Sequence, residues 1–416
     1  MVKHLKLAIC GSVDSGKSSL IGVLTTKKLD DGRGSARLSI LRTKHEKDSG
    51  RTSNISYNYI KYEDKDVTLI DLAGHEKYLK TTLYGISGLF IDYGVVIIGA
   101  NMGVSKMTRE HLGILLYLKV PIIIILTKED ICPPDIYENT RQRLKKLLKL
   151  PLFGKSPLFL DTDDDYVQFE KLCNIPENIN SIIPIITTSC KTRKNIDKLN
   201  HLFEFLPNVE QKIQPKILNC SKQAGPSSYI ETVYNVKGVG TVITGTHIGN
   251  DPMTVGQSLF MGPFGMTNSY FVPIKIKSMH DNYRNLINIT NPGDNYCISI
   301  KFLKEHFEKA QLRKGLILTT NPSIVSNVSI RFKAKIKILN YKTTIKAGYT
   351  PIIHCRTIRQ AAKIIEIYNP SPSCSVRGGD ETEVLFEYIY YPEYIEIGAP
   401  IFFRDGTTKG VGEIIK

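Results

Sequence analysis

The sequence predicts an α/β domain built on a mostly parallel sheet, followed by two antiparallel β domains. Three observations carry that reading. Short apolar runs alternate with helical segments through the first half of the 416 residues. The segment PNVEQKIQPKILNCSKQAGPSS, starting at Pro207 and ending at Ser228, is rich in Pro, Ser, Gln and Lys and breaks the pattern as a linker does. Beyond it helical periodicity fades, and glycine-punctuated strands such as GVGTVITGTHIG at 238–249 take over.

Taken in order, Lys6 to Cys10 reads as a strand and Lys17 to Thr25 as a helix. Tyr57 to Tyr62 and Val67 to Asp71 flank the polar EDKD at 63–66 and read as a hairpin. Val95 to Gly99 and Ile122 to Thr127 are continuous β-branched runs, as expected of strands covered on both faces. Helices are expected over Arg109 to Leu118 and Asp135 to Leu148, then a strand over Ile182 to Thr188 and a helix over Ile196 to Phe205. In the second half VSIRFKAKIKI, 328–338, alternates strictly. Val328, Ile330, Phe332, Ala334, Ile336 and Ile338 face one way; Arg331, Lys333, Lys335 and Lys337 face the other. One dry and one wet face make this a strand of an antiparallel sheet or barrel. A break near Thr320 to Ser323 divides the β half in two. The expected domains are 1–207, a linker at 208–228, then 229–322 and 323–416.

Composition narrows the function classes. Hydrophobic content of 42% supports filled cores, and a net charge of +15 suits RNA, DNA or anionic lipid as partners, or else a lysine-rich solvated surface. The longest apolar runs, such as Val120 to Leu126, fall far short of the roughly 20 residues that a spanning helix needs. The N-terminal MVKHLKLAICGS has too short an apolar patch for a secretory signal. The 8 cysteines form no C-x-x-C pair, which suits free thiols in a reducing compartment and gives no zinc signature. A cytosolic (cytoplasmic) protein, not a membrane one, is expected.

The motifs point to a nucleoside triphosphate. GSVDSGKS at 11–18 fits G-x-x-x-x-G-K-S between a strand and a helix. Gly11 and Gly16 let the backbone wrap phosphates, and Asp14, Ser15, Gly16, Lys17, Ser18 and Ser19 form the expected phosphate-binding set. Lys17 is placed to reach the β- and γ-phosphates and the Ser18 hydroxyl to hold Mg²⁺. In IDLAGHEKY, 70–78, Asp71 ends a strand where an acidic residue secures the magnesium through water. Gly74 offers its N–H to the γ-phosphate, and His75 stands where signalling GTPases generally use glutamine to orient water. In TKED, 127–130, Asp130 matches the N1–H and exocyclic amine of guanine, and Lys128 lies along the base. In TSCK, 188–191, a backbone N–H near Cys190 suits the guanine O6, with an ordinary strand-to-helix loop as the rival reading. A switch residue belongs in SGRTSNIS, 49–56, with Thr52 the candidate magnesium ligand and Ser53 or Ser56 its competitors.

These residues resemble the translational GTPases, the elongation-factor class. GSVDSGKSS, DLAGHEKY, TKED and SCK are similar to that class's nucleotide motifs. VKGVGTVITGT (236–246) resembles the start of its second domain, and AGYTPIIHCRT (347–357) a strand of its third. SGRTS, DLAGHEKYLKTT, MTREHLG, VPIIIILTKEDICP and IRQAA echo the eukaryotic GTP-binding protein one/two subfamily within it. The resemblance covers nearly the whole chain. It implies a P-loop G domain followed by two antiparallel β-barrel domains. It also implies GTP and GDP as ligands, Mg²⁺ and K⁺ as cofactors, and hydrolysis of GTP to GDP and phosphate. By it, Thr127, Lys128, Asp130, Ser189, Cys190 and Lys191 bind the nucleotide, Asp14 helps hold a monovalent cation, and His75 is catalytic. The ribosome with tRNA, or another RNA, is the implied partner, acting on a monomer. A GTP-gated RNA-binding adaptor that recruits RNA-decay or ribosome-rescue machinery is the alternative, and a regulatory subunit of a nucleotidylyl transferase a third reading. Three departures stand out. Thr127 replaces the usual asparagine, so one brace between base and P-loop is missing or different. Arg51 replaces an isoleucine, which unsettles the hydrophobic gate that Val13 shares around the histidine. The subfamily's long N-terminal extension is not expected.

Other features are expected to be ordinary. DTDDD at 161–165 lacks the glycine and glutamate of a calcium loop, since Tyr166 and Leu172 stand there, and reads as a solvated acidic loop. RQRLKKLLKL at 141–150 buries Leu144, Leu147 and Leu148 on one face of a surface helix. The lysine face of 331–337 is a better candidate for RNA. His354 and Cys355 are neighbours in a strand, so their side chains diverge and share no metal.

Overall fold

A computed structural model of the chain describes residues 3–41, 55–150, 153–175, 178–207, 226–303, 311–340, 344–368, 375–405 and 408–416. Arg51, Thr52, Ser53 and most of the expected linker lie outside the described residues. The chain divides into two compact units, essentially 1–209 and 210–416.

The first unit is a seven-stranded sheet with strands β1 (Lys3–Gly11), β2 (Ser56–Lys61), β3 (Lys65–Asp71), β4 (Tyr93–Gly99), β5 (Ile122–Thr127), β6 (Ser156–Phe159) and β7 (Ile182–Thr187). Their order is β2-β3-β1-β4-β5-β7-β6. All neighbours run parallel except β2, which pairs antiparallel with β3 as the expected hairpin. Every residue of β4 and β5 is buried, which is why these strands are apolar without alternation. Leu5, Leu7 and Ile9 of β1 pack with Leu20 and Ile21 of the helix Lys17–Thr26 and with Leu199, Leu202 and Phe203 of the helix Ile196–Phe205. β1 has β3 on one side and β4 on the other, so the connections diverge there. In doubly wound sheets the crevice beyond the carboxyl ends at such a point is where ligands bind.

Helix ends follow local chemistry. The helix Lys106–Tyr117 starts behind Ser105, whose Oγ accepts from the Thr108 N–H at 3.1 Å. The acidic stretch at 161–165 corrects the expectation of a solvated loop. Thr162 caps the helix Asp163–Cys173, and Asp165 Oδ2 accepts from the Thr162 N–H at 2.7 Å in a reciprocal capping box. Asp163, Asp164 and Asp165 occupy the first turn, where the helix dipole favours negative charge. Asp161 pairs with Arg141 at 2.6 Å instead of standing free.

The second unit holds two closed antiparallel barrels. β8 (Ser228–Val236), β9 (Gly240–His247), β11 (Ser258–Phe264), β12 (Tyr270–His280), β15 (Asn295–Phe302) and β16 (Ile317–Thr319) form the first, with the two-residue strands β10 (Met253–Thr254), β13 (Leu286–Ile287) and β14 (Ile289–Thr290) beside them. Its order is β11-β16-β8-β9-β15-β12, closed by the β11–β12 pairing. The core contains Ile230, Ile243, Met261, Val272, Ile274 and Ile298. After a separate short pair, β17 (Val328–Ser329) with β22 (Glu393–Tyr394), the second barrel is formed by β18 (Arg331–Asn340), β19 (Ile352–Cys355), β20 (Ile358–Tyr368), β21 (Glu381–Tyr388), β23 (Pro400–Asp405) and β24 (Thr408–Ile414), in the order β18-β21-β20-β19-β23-β24. Phe332, Ala334, Ile336 and Ile338 of β18 face its core, as their alternation predicts.

The lysine face of β18 is not a bare cationic stripe. Its register with β21 sets glutamates beside it. Arg331 pairs with Glu387, Lys333 with Glu383 at 2.5 Å and Lys337 with Glu381 at 2.9 Å. That neutralisation weakens the case for RNA there, because phosphate neutralisation needs cations not already paired.

Polar contacts tie the two barrels together. Tyr229 Oη donates to Glu396 at 2.6 Å, and Arg356 grips the same carboxylate at 2.6 and 2.9 Å. Arg313 Nη1 and Gln360 Nε2 both donate to Glu393 Oε1 at 2.7 Å. Buried networks of this kind favour one arrangement because a slip breaks several charge-assisted bonds at once.

Candidate nucleotide-binding site

The glycine-rich turn between β1 and the first helix is shaped by contacts that only glycine permits. A Cβ on Gly11 would lie 2.3 Å from the Ile97 carbonyl oxygen. Gly16 caps the helix Lys17–Thr26 at φ 89°, in the left-handed region. The turn is thereby pressed onto β4, and the helix N-terminus follows directly after it.

Lys17 opens the helix that follows β1, and Asp71 ends β3, the strand beside β1. Both are buried. Lys17 Nζ donates to the Ser12 carbonyl at 2.7 Å. Burial pulls the Lys17 ammonium below its ordinary pKa, while the charges of Asp71, Cys10 and Asp14 oppose that shift. Ser18 Oγ donates to Asp71 Oδ2 at 2.9 Å. So the two groups expected at the magnesium already meet, from elements 53 residues apart. Ser15 Oγ is buried with no hydrogen-bond partner among the described residues. That is an unusual state for a hydroxyl, and a bound phosphate oxygen would end it. Ser19 follows on the same helix, partly buried. Asp14 is exposed at the tip of the turn with φ 58°.

Gly74 lies against the same turn. A Cβ there would be 2.5 Å from Lys17 Nζ and 2.7 Å from the Gly11 carbonyl oxygen. His75, next in the chain, is exposed. Its Nδ1 accepts from the Lys77 N–H at 3.1 Å, and its ring meets Tyr78 edge-on at 6.2 Å. In the neutral tautomer that this bond selects, Nε2 carries the proton and acts as a donor. Ser56, one competitor for the switch role, is fixed in β2 opposite Asp71. Thr52 lies outside the described residues.

At the base end the brace expected to be missing or different is present in a different form. Thr127 Oγ1, buried at the end of β5, donates to the Ser15 carbonyl at 2.5 Å. A short hydroxyl thus ties the base motif to the phosphate turn. Lys128 follows at φ 61° and turns the chain. Asp130 Oδ1 accepts from Ser189 Oγ at 2.7 Å. Ser189 Oγ in turn accepts from the Lys191 and Thr192 amides at 3.2 and 3.1 Å. Sequence reasoning gave Asp130 and Ser189 separate places but not this hydrogen bond between them. Among the described residues no group of three or more His, Cys, Asp or Glu side chains is arranged to hold a metal.

Residues 2–215 match the family described as "Elongation factor Tu GTP binding domain". The chain belongs to the elongation-factor class of GTPases. Over 445 aligned residues it is 34% identical to GTP-binding protein 1 of Xenopus laevis, covering 99% of this chain and 63% of that protein. The chain therefore spans less than two thirds of that relative's length. Translation elongation factor SelB from Methanococcus maripaludis, solved with the GTP analogue GppNHp, shares the fold at a TM-score of 0.67 and 20% identity. That match covers 100% of this chain and 79% of SelB. The GTPase-like domain of S. cerevisiae Ski7, bound to GTP, shares it at a TM-score of 0.71 and 16% identity, over 99% and 97% of the two chains. The turn follows β1, Asp71 ends β3, Asp130 follows β5 and Ser189 follows β7, so all four lie at the carboxyl ends of parallel strands of the first sheet.

Among the described residues no helix is long and apolar enough to cross a membrane. Cys10, Cys132, Cys173, Cys190, Cys297 and Cys355 are free thiols.

Proposed function

We propose that the chain is a conformational switch that binds GTP, hydrolyses it to GDP and phosphate, and acts on the ribosome with tRNA. The observation that carries this reading is the Ser18–Asp71 hydrogen bond at 2.9 Å beside buried Lys17. It brings together the hydroxyl, the carboxylate and the ammonium that phosphoryl transfer uses. In this reading the amides of the turn from Asp14 to Ser19 cradle the phosphates and Lys17 neutralises the β- and γ-oxygens. Ser18 and Thr52 are assigned to Mg²⁺ directly and Asp71 through water; bound there, the ion supplies charge stabilisation to the phosphate oxygens. The exposed carboxylate of Asp14 is assigned to a monovalent cation, K⁺. Asp130 reads guanine, Lys128 and Lys191 flank it, and the loop of Ser189 and Cys190 offers a backbone N–H to O6.

His75 orients the attacking water. Its Nδ1 is engaged by Lys77, so Nε2–H is the group available to a water oxygen. The Gly74 N–H faces the γ-phosphate because the residue has no side chain to hold it away. Release of that phosphate frees Gly74 and the segment around Thr52, and the β-barrels then shift relative to the G domain. The domain limits that we assign are 1–207, 229–322 and 323–416, joined by a linker at 208–228. A chain this basic, at +15, supports an RNA-rich partner. The cytoplasm, as the site of that partner, is part of the same proposal, as is action as a monomer.

The test is multiple-turnover GTP hydrolysis with and without ribosomes, for wild type and His75→Ala. Stimulation by ribosomes that the alanine variant loses is the expected result. No stimulation would remove the ribosome from this account, and a fully active variant would remove the histidine.

A further inference from the structure

Residues 29–36, LDDGRGSA, follow the first helix and form a knot around two aspartates. Asp30 Oδ2 accepts from the amides of Gly32 at 3.0 Å and Gly34 at 3.3 Å, and its Oδ1 from the Ala36 amide at 2.9 Å. Asp31 Oδ1 accepts from the amides of Arg33 at 2.8 Å and Ser35 at 3.2 Å, which hold its carboxyl below the ordinary range. Gly32 and Gly34 sit at φ 83° and 93°, so the path needs glycine at both. The knot is anchored on the first helix. Gly22 lies so close to it that a Cβ there would be 2.2 Å from the Ala36 carbonyl oxygen.

The same knot reaches the guanine loop. The Asp30 N–H donates to the Cys190 carbonyl at 3.1 Å. A Cβ on Gly32 would lie 3.5 Å from Lys191 Cδ. Burial pushes the Cys190 thiol up to about 12, and the charges of Asp30 and Asp130 add to that shift. Cys190 is therefore held from two sides. Ser189 Oγ gathers the amides that follow it, and Asp30 pins its carbonyl.

We propose that Asp30 is a positioning residue for guanine recognition. By knotting 30–36 it presents its own N–H to the Cys190 carbonyl and so fixes the orientation in which the Cys190 N–H meets the guanine O6. The proposal rests on the guanine role assigned above to the 189–191 loop. Three amide bonds engage the Asp30 carboxylate locally, so its part in the knot is architectural.

The test compares three diphosphates by calorimetric titration of the full chain: those of guanosine, of inosine, and of 2-aminopurine riboside, which lacks O6. Asp30→Ala should weaken the guanosine and inosine diphosphates by about tenfold, the scale of one hydrogen bond to a neutral group. The 2-aminopurine diphosphate should bind the variant and wild type equally, because it makes no O6 contact to lose. Asp30→Asn keeps part of the acceptor set and should fall between them, with a melting temperature near that of wild type. Equal loss for all three nucleotides, or wild-type binding of guanosine diphosphate by both variants, would overturn the proposal. Failure of the wild type to bind guanosine diphosphate would instead overturn the guanine assignment beneath it.

Discussion

Thr127→Val removes one hydroxyl and almost no volume. The hydroxyl donates to the Ser15 carbonyl at 2.5 Å, and its residue is 1% exposed. No solvent stands ready to replace the donor, so the loss includes the cost of leaving a carbonyl without it. Such losses amount to about 1–3 kcal/mol. The bond links the end of β5, where the base motif begins, to the turn that holds the phosphates. In the folded chain both ends remain, but their spacing is no longer fixed, and part of this energy appears as weaker nucleotide binding. If half or more does, the dissociation constants for GDP and GTP rise together by roughly 2- to 150-fold. The assay is stopped-flow dissociation of a fluorescent GDP, with the melting temperature as a control. Thr127→Ser, which keeps the donor, should stay within about threefold of wild type. Valine dissociating at the wild-type rate would refute the brace.

Three further outcomes follow from the same geometry. Gly74→Ala sets a Cβ 2.5 Å from Lys17 Nζ, so GTP hydrolysis should fall by at least about tenfold while GDP binding survives, as single-turnover assays and titration would show. Lys17→Ala should abolish measurable binding of both nucleotides, since it removes the one buried ammonium at the turn; retention of tight GTP binding in a filter assay would contradict that. Burial lifts the Glu393 carboxyl to about 7 from its ordinary 4.5, against the lowering effect of Arg313. The folded chain then binds more protons than the unfolded chain between those values, so this contribution is full below 4.5 and is lost as pH rises through about 7. Glu393→Gln should flatten that fall in urea unfolding measured at about pH 5 and about pH 8, and an unchanged slope would exclude Glu393 as its source.

Local chemistry made much of this molecule legible. Strands β4 and β5 announce themselves as apolar runs because both faces are covered, and β18 alternates because one face is wet. The phosphate turn is a local motif and needs no tertiary information. The helix Asp163–Cys173 was also legible, through Thr162 and Asp165 at capping-box spacing and Phe169 and Cys173 one turn apart. The density of aspartates concealed it, because acidic residues fit a helix N-terminus as well as a loop. What no local reading supplies is register between distant segments. The glutamates that cover Arg331, Lys333 and Lys337 come from β21, and the acceptor for Thr127 lies 112 residues away. The tie from Asp30 to Cys190 is of the same kind. Each depends on which segments the sheet brings together, a global property that charge and periodicity do not encode.

The central claim is that the carboxyl edge of the first sheet selects a guanine nucleotide through Asp130 and holds its phosphates on the turn at Lys17. Calorimetric titration with GDP, GTP and ATP in magnesium tests it most directly. The account predicts one site per chain for either guanosine nucleotide, no heat from ATP, and loss of the guanosine signal in Asp130→Ala. Equal binding of ATP, or no heat from GDP and GTP with folded protein, would contradict it.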